Sequence, residues 1–406
     1  MEGPNMNEIT KLEERLEWNR KQKSKLGHEY GAGRSCLVCK EKCVGGLNLH
    51  FWRKICVNCK CPKEKHDLQP EDYDITRTFE ILGVKTPKHS QHKQKIVEWT
   101  PPVASTQNPF NNERKIKKYF DALDDNLIPF ANSEAALKRK ELAEIQIPPH
   151  DFNPEKCDNL TDFETQQLQK YVDNVKKNAL GQGQVDLFEQ RPAFGKTSHV
   201  DHENNNICSQ FSDMSINTCK NCKETITAAY VKAERLGKEA IYHPKCFKCK
   251  KCSQLLVDLI YFHHKNEIYC ARDLAEIMEI PRCSACDELI LVSEFTFADG
   301  KNYHIKHFCC LYCDKMLAGF QYVIDDKSNN PLCLPCYDKH FANYCGMCKM
   351  NIECNEQGVS IKDLHFHLKC FKCGNKNCGK DLAGGRFCLR ENIPFCSAAC
   401  VREGLQ

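Results

Sequence analysis

The stretch HPKCFKCKKC, residues 243 to 252, places His243, Cys246, Cys249 and Cys252 at strict three-residue intervals. Soft metal-type side chains packed this closely constrain the chain more tightly than any hydrophobic pattern in it, because closely spaced pairs of such ligands converge on one ion while a second pair completes a tetrahedron. In this copy Cys219-x2-Cys222 leads after 20 residues to His243-x2-Cys246, then to Cys249-x2-Cys252, and after 17 more to Cys270-x2-Asp273. Eight ligands make two sites. The quoted stretch is the seam between them, with His243 and Cys246 closing one and Cys249 and Cys252 opening the next.

The arrangement returns twice, an internal repeat of about 60 residues. The second copy runs Cys283, Cys286, His304, His307, then Cys310, Cys313, Cys333, Cys336. The third runs Cys345, Cys348, His367, Cys370, then Cys373-x4-Cys378 and Cys396-x3-Cys400, with His365 competing for the place of His367. Apolar positions recur in register: Phe247, Phe308 and Phe371 follow the fourth ligand, Leu256, Leu317 and Leu382 lie four past the sixth, and Tyr261, Tyr322 and Phe387 nine past it. They read as packing residues. So few core side chains make the ion part of the fold, since structural zinc contributes about 10 to 16 kcal/mol per site.

Two neighbouring N/S sites per module favour zinc, two ions per copy and six in total. The chain holds 30 cysteines, but its first 30 residues lack the apolar core of a secretory leader and no stretch offers 18 uncharged apolar residues. Cytosolic or nuclear placement follows as the expectation, and there thiols bind metal more often than they form disulfides. Lys plus Arg, 58, nearly balances Asp plus Glu, 54, which gives little reason to expect nucleic acid or a membrane surface as partner. Cys157, Cys208, Cys309, Cys354 and Cys388 fall outside the scheme and read as ordinary thiols, Cys309 beside Cys310 being the one tempting substitute ligand.

The ligand order, two cysteines, a histidine and a cysteine, then three cysteines with an aspartate or four cysteines, resembles the LIM domain family over residues 217 to 406. The resemblance implies consecutive zinc fingers of short β-hairpins ending in a short helix, which bind other proteins. His307 in place of the usual cysteine, Asp273 at the eighth position and the wider Cys373–Cys378 spacing depart from the pattern, and each keeps a feasible tetrahedron.

In the N-terminal half, Ile9, Leu12 and Leu16 approach helical spacing over residues 6 to 26. The segment CLVCKEKCVGGLNLHFWRKICVNCKCPKEKHD then places Cys36-x2-Cys39 and Cys56-x2-Cys59 around 16 residues. These four are possible ligands of a further zinc, with Cys43, Cys61 and His66 as additional candidates and HFWRK, residues 50 to 54, as a hairpin strand. Beyond it, Ile116, Tyr119, Phe120 and Leu123 share a helical face, and Ser133 opens a charged helix to about Ile145. Thr161-x-x-Glu164 reads as a capping box before the stripe Leu168, Tyr171, Val172 and Val175, with Gly181 as the stop.

The stretches VEWTPP (97 to 102), PPHDFNPEKC (148 to 157) and NALGQGQV (178 to 185), placed ahead of three LIM-like repeats, resemble the PET domain family. The expected fold is a zinc-stabilised multi-domain chain: a charged segment 1–33, a Cys-rich segment 34–68, a mainly α PET domain 84–190, a linker 191–216, and LIM modules 217–280, 281–342 and 343–406. No catalytic residue or nucleotide loop accompanies the metal sites. The expected function is a non-enzymatic interaction scaffold, with a nuclear zinc-finger cofactor or a RING-like ubiquitin ligase as alternatives. What the resemblance implies further is a cytoplasmic adaptor at focal adhesions and cell junctions, contacting cytoskeletal and adhesion proteins through LIM surfaces, with PET–LIM self-contact allowed by the linker and no membrane insertion.

Overall fold

The computed structural model describes residues 30–73, 75–84, 90–104, 109–188, 217–237, 239–325 and 328–404. The expected helix at 6–26, the linker 191–216 and Cys208 lie outside them. The chain forms two compact units, Met1–Asn302 and Tyr303–Gln406.

In the first unit the mainly α expectation holds. Ser133 caps helix Glu134–Gln146 by accepting from the Ala136 amide. Thr161 and Glu164 form the reciprocal capping box of helix Asp162–Asn178, whose buried stripe is Leu168, Tyr171, Val172 and Val175. Tyr119 and Phe120 of helix Pro109–Asp121 are buried against Trp99, Val97 and Ile128. A short hairpin, β1 (Ser90–His92) and β2 (Lys95–Val97), precedes them.

Two readings need correction. Residues 51–54 form a bend and not a strand: the Nδ1 of His50 accepts from the Trp52 and Arg53 amides at 3.4 and 3.3 Å, which holds the backbone in a tight loop that a strand could not follow. Gly181 is no helix stop. The helix ends at Asn178, and Gly181 sits inside strand β3 (Leu180–Gln182), which the single residue Gly183 separates from β4 (Gln184–Leu187).

These two strands join the helical region to the first zinc module. That module contributes β5 (Ala229–Lys232) and β6 (Ile241–Tyr242) from its first finger, and β7 (Ile260–His264) and β8 (Glu267–Tyr269) from its second. β4 pairs antiparallel with β5, Val185 opposite Val231, and β3 pairs antiparallel with β7, Gly181 opposite Tyr261. One extended stretch thereby adds an edge strand to both fingers in succession, giving sheets ordered β4-β5-β6 and β3-β7-β8. A β-carbon on Gly181 would stand 2.3 Å from the Tyr261 ring, so only glycine lets the strands approach this closely.

The apolar cores cross the same boundary. One unites Trp99, Phe120 and Val185 with Ile226, Val231, Phe247, Leu256 and Tyr261. The other unites Phe79, Phe152, Val172 and Val175 with Ile260, Phe262, Leu274 and Leu289. Polar anchors reinforce them. Gln146 accepts from the Val257 amide and donates to the Leu255 carbonyl. The Arg235 guanidinium donates to the carbonyls of Lys176, Lys177 and Leu180, satisfying acceptors that a helix C-terminus leaves open. Arg282 pairs bidentately with the fully buried Asp151 at 2.8 and 2.7 Å. The PET–LIM contact expected across a linker is thus a continuous packed interface with the first module, extended by Arg282 and Leu289 at the start of the second.

In the second unit, hairpin Tyr322–Ile324 and Pro331–Cys333 leads into helix Leu334–Phe341, and hairpins Gly358–Ile361 with Leu364–His367 and Cys388–Arg390 with Ile393–Phe395 precede helix Ala398–Gly404. Phe366, Phe371, Leu382 and Phe395 form the core of the last module. Leu317 and Leu382 are buried as the repeat pattern predicts, whereas Phe387, the counterpart of Tyr261, remains 38 % exposed.

Candidate metal centres

Each cysteine knuckle is made by the same backbone device. The residue after the second cysteine adopts a left-handed conformation: Lys223, Ser253, Asp287, Asp314 and Lys349 have φ between 54° and 65°. Its amide returns to the carbonyl of the first cysteine, at 2.9 Å from Lys223 to Cys219, from Ser253 to Cys249, from Asp287 to Cys283 and from Lys349 to Cys345, and at 3.0 Å from Asp314 to Cys310. The turn brings the two sulfurs to one side. In the third module Gly379 takes the position after Cys378, and the wider spacing moves the acceptor to Asn375.

The closing pair of each second finger uses a helix start. Cys270 and Cys333 are N-caps, and Asp273 and Cys336 lie at the third helical position, which an N-cap side chain naturally faces. The three-residue gap of the last pair is absorbed by Ser397, whose hydroxyl accepts from the Cys400 amide and leaves Cys396 one residue further out. Cys396 and Cys400 still lie 3.4 Å apart, sulfur to sulfur.

The donor distances suit zinc. A tetrahedral ion with bonds of about 2.3 Å to sulfur and 2.0 Å to nitrogen needs edges of about 3.8 Å between sulfurs, 3.5 Å from sulfur to nitrogen and 3.3 Å between nitrogens. Cys313 and Cys333 are 3.6 Å apart, Cys378 and Cys396 3.7 Å. Cys222 stands 3.3 Å from His243 Nδ1 and Cys348 3.4 Å from His367 Nδ1. His304 and His307 face each other with Nδ1 atoms 3.3 Å apart. Cys249 and Asp273 Oδ2, at 2.9 Å, have the shorter separation of a thiol donating to a carboxylate.

The groups Cys219, Cys222, His243, Cys246 and Cys310, Cys313, Cys333, Cys336 each bring four donor atoms within 4.8 Å of one another. Cys283 and Cys286 form a buried knuckle in the first unit, His304 and His307 belong to the second, and the division of the chain falls between the pairs. In the third module His367 and not His365 faces the cysteines: its Nε2 meets the Asn351 carbonyl at 2.9 Å, leaving Nδ1 toward Cys348. His365 turns to the Ser360 hydroxyl. Cys309 donates to the Lys306 carbonyl.

The first cysteine of a knuckle is drawn toward thiolate, while partners such as Cys246 and Cys313 are pushed up by burial. Burial pushes the Cys219 thiol up, but the amides of Cys222, His243 and Asn221 turned toward it outweigh burial and bring it down to about 7. Cys310 is drawn to about 7 by the amides of Cys333, Cys313 and Tyr312 against the same burial. A metal finds its anionic ligand prepared.

Pairing of the first ligand pair with the second, and the third with the fourth, makes the fingers consecutive, and a RING interleaves them. The PET Domain family model matches residues 82–186 and the LIM domain model matches 219–278 and 283–341. Testin from Monodelphis domestica is 38% identical over 422 aligned positions, covering 95% of this chain and 98% of its own. The chain belongs to the testin family. Testins from Mustela putorius furo, 37% identical with 94% of this chain and 98% of the relative covered, and from Xenopus laevis, 36% with 95% and 98%, agree. As a member of that family, with LIM modules and their Cys/His groups, it is a zinc-binding protein-interaction scaffold.

The N-terminal cysteines gather as well, in a larger set than the four expected. Cys36, Cys39, Cys59 and Cys61 form one group, and Cys43, Cys56, Cys59 and His66 form another. Sequence spacing had named Cys43, Cys61 and His66 only as additional candidates, because ligands outside a CxxC pair carry no local signature.

Proposed function

We propose that this testin-family chain is a non-enzymatic adaptor that links cell-adhesion sites to the actin cytoskeleton from the cytoplasm, at focal adhesions and cell junctions. The observation that supports the non-catalytic part is that Cys219, Cys222, His243 and Cys246, and likewise Cys310, Cys313, Cys333 and Cys336, gather four protein donors each, where a catalytic zinc keeps a position for water. In this reading Cys219, Cys222, His243, Cys246, Cys249, Cys252, Cys270 and Asp273 hold two ions, and the corresponding ligands of the second and third modules hold four more. The metal fixes the fold, and the modules present surfaces. Met316, Phe320, Tyr344 and Met350 are large apolar side chains left exposed in the second unit, the kind of residue that linked weak contacts use for affinity.

The test is proximity labelling in adherent cells with the full chain and with a Cys310→Ser, Cys345→Ser variant. Adhesion and actin-associated proteins should be enriched by the intact chain and lost with the variant. A labelled set dominated by chromatin or by ubiquitin-conjugating enzymes would overturn the reading, as would salt-sensitive retention of duplex DNA by the purified chain.

A further inference from the structure

We propose that the N-terminal cysteine-rich segment holds a binuclear zinc cluster in which the Cys59 thiolate bridges both ions. Two tetrahedral ions need eight ligand positions, and the segment brings together seven donors: Cys36, Cys39, Cys43, Cys56, Cys59, Cys61 and His66. The count closes only if one donor serves twice, and Cys59 belongs to both groups.

The geometry carries the same assignment. Around the second group, Cys43 lies 3.8 Å from Cys56, 3.8 Å from His66 Nε2, and Cys59 3.6 Å from His66 Nε2. These are the tetrahedral edges found in the LIM fingers. His66 is 2 % exposed, and its Nδ1 meets the Pro62 carbonyl at 3.1 Å, which makes Nδ1 the protonated nitrogen and leaves the Nε2 lone pair toward the sulfurs. Both CxxC pairs are knuckles of the LIM type: Lys40 and Lys60 adopt φ of 47° and 62°, and their amides return to the carbonyls of Cys36 and Cys56 at 3.2 and 2.9 Å.

Nothing apolar takes the place of metal. Apart from its cysteines, the core cluster of this segment buries Leu47 and Leu68 among the described residues, with Trp52 buried beside it, far less than a domain of this size needs to fold by burial alone. Close backbone packing brings the halves together: a β-carbon on Gly46, at φ 72°, would stand 2.3 Å from the Gly33 carbonyl oxygen. An all-thiolate first group and a three-thiolate, one-imidazole second group suit zinc.

Native mass spectrometry of the full zinc-loaded chain tests this. Wild type should carry two more ions than the Cys59→Ala variant, whereas Cys61→Ala and Cys43→Ala should each lose one. The differences do not depend on how many ions the LIM modules hold, so failure here is distinct from failure of the LIM assignment. If the single-site variants also lose two through local unfolding, the wild-type chain loaded with cadmium-113 decides. Two cadmium resonances split by mutual coupling through the shared sulfur support the bridge, and two unsplit ones overturn it. Loss of one ion in Cys59→Ala, or a wild-type mass showing iron and sulfide, overturns the proposal too.

Discussion

Arg139 and Asp258 form a two-point ion pair between the PET helix Glu134–Gln146 and the first zinc module, with Nε donating to Oδ1 at 2.6 Å and Nη2 to Oδ2. Asp258 is buried and the Arg139 side chain only 10 % exposed, and Asp258 sits at a positive φ of 51° in the turn leading into β7. Arg139→Ala leaves a buried carboxylate without its partner and should cost about 3 to 5 kcal/mol in denaturant unfolding at neutral pH. Burial already pushes the Asp258 carboxyl above the ordinary range even though Arg139 opposes it. Without Arg139 the folded value exceeds the unfolded one further, so the loss should be smallest at acid pH and grow as pH rises through the raised value. A gap between variant and wild type that does not change with pH would contradict this.

Gly181→Ala should loosen the added strand. The new methyl meets the Tyr261 ring, and such overpacking costs about 1 to 3 kcal/mol. Hydrogen exchange should quicken at His263, whose amide donates to the Ala179 carbonyl, while Val359 and Phe366, paired in the third module, keep their protection. Equal exchange at all three positions before and after substitution would contradict the placement of this glycine.

The third module separates two histidines two residues apart. His367→Ala should remove one zinc from the full chain, measured by native mass spectrometry, and His365→Ala none, because His365 is engaged with Ser360 across the hairpin. The reverse result would reassign the ligand.

Acid should release the LIM ions in a defined direction. Burial pushes the Cys345 thiol up, but the amides of Cys348, His367 and Met347 overcome it and draw the thiol from its ordinary 9.0 to about 6. The folded value lies below the unfolded one, so the stabilisation is full above the unfolded pKa and is lost as pH falls through the folded value. Zinc binding acts in the same sense because it needs the thiolate. A chromogenic chelator should therefore detect little free zinc at pH 8 and progressively more as pH falls. Release that increases on going alkaline would contradict it.

Much of the LIM architecture was legible because a knuckle is a local object. A two-residue gap and a left-handed residue after it suffice to aim two sulfurs at one point, and both features reside within five residues. The caps at Ser133 and Thr161 were readable for the same reason. What spacing could not show was the choice of distant partners. Gly181 looked like a helix stop because nothing nearby announces Tyr261, 80 positions later, as the ring it must accommodate. HFWRK alternates like a strand, yet His50 captures the amides a strand would have offered to a neighbour. Cys43, Cys61 and His66 join the N-terminal groups through the fold of a loop and not through any repeat.

The continuous run from Leu180 to Leu187 lies along the free margin of both hairpins of the first zinc module. Any foreign peptide seeking to extend those sheets would find its seat taken by the chain itself, and would have to displace a tenant tethered by Arg235 at one end and by the packing of Val185 at the other. Recruitment through that margin is therefore a competition the resident strand begins already in place.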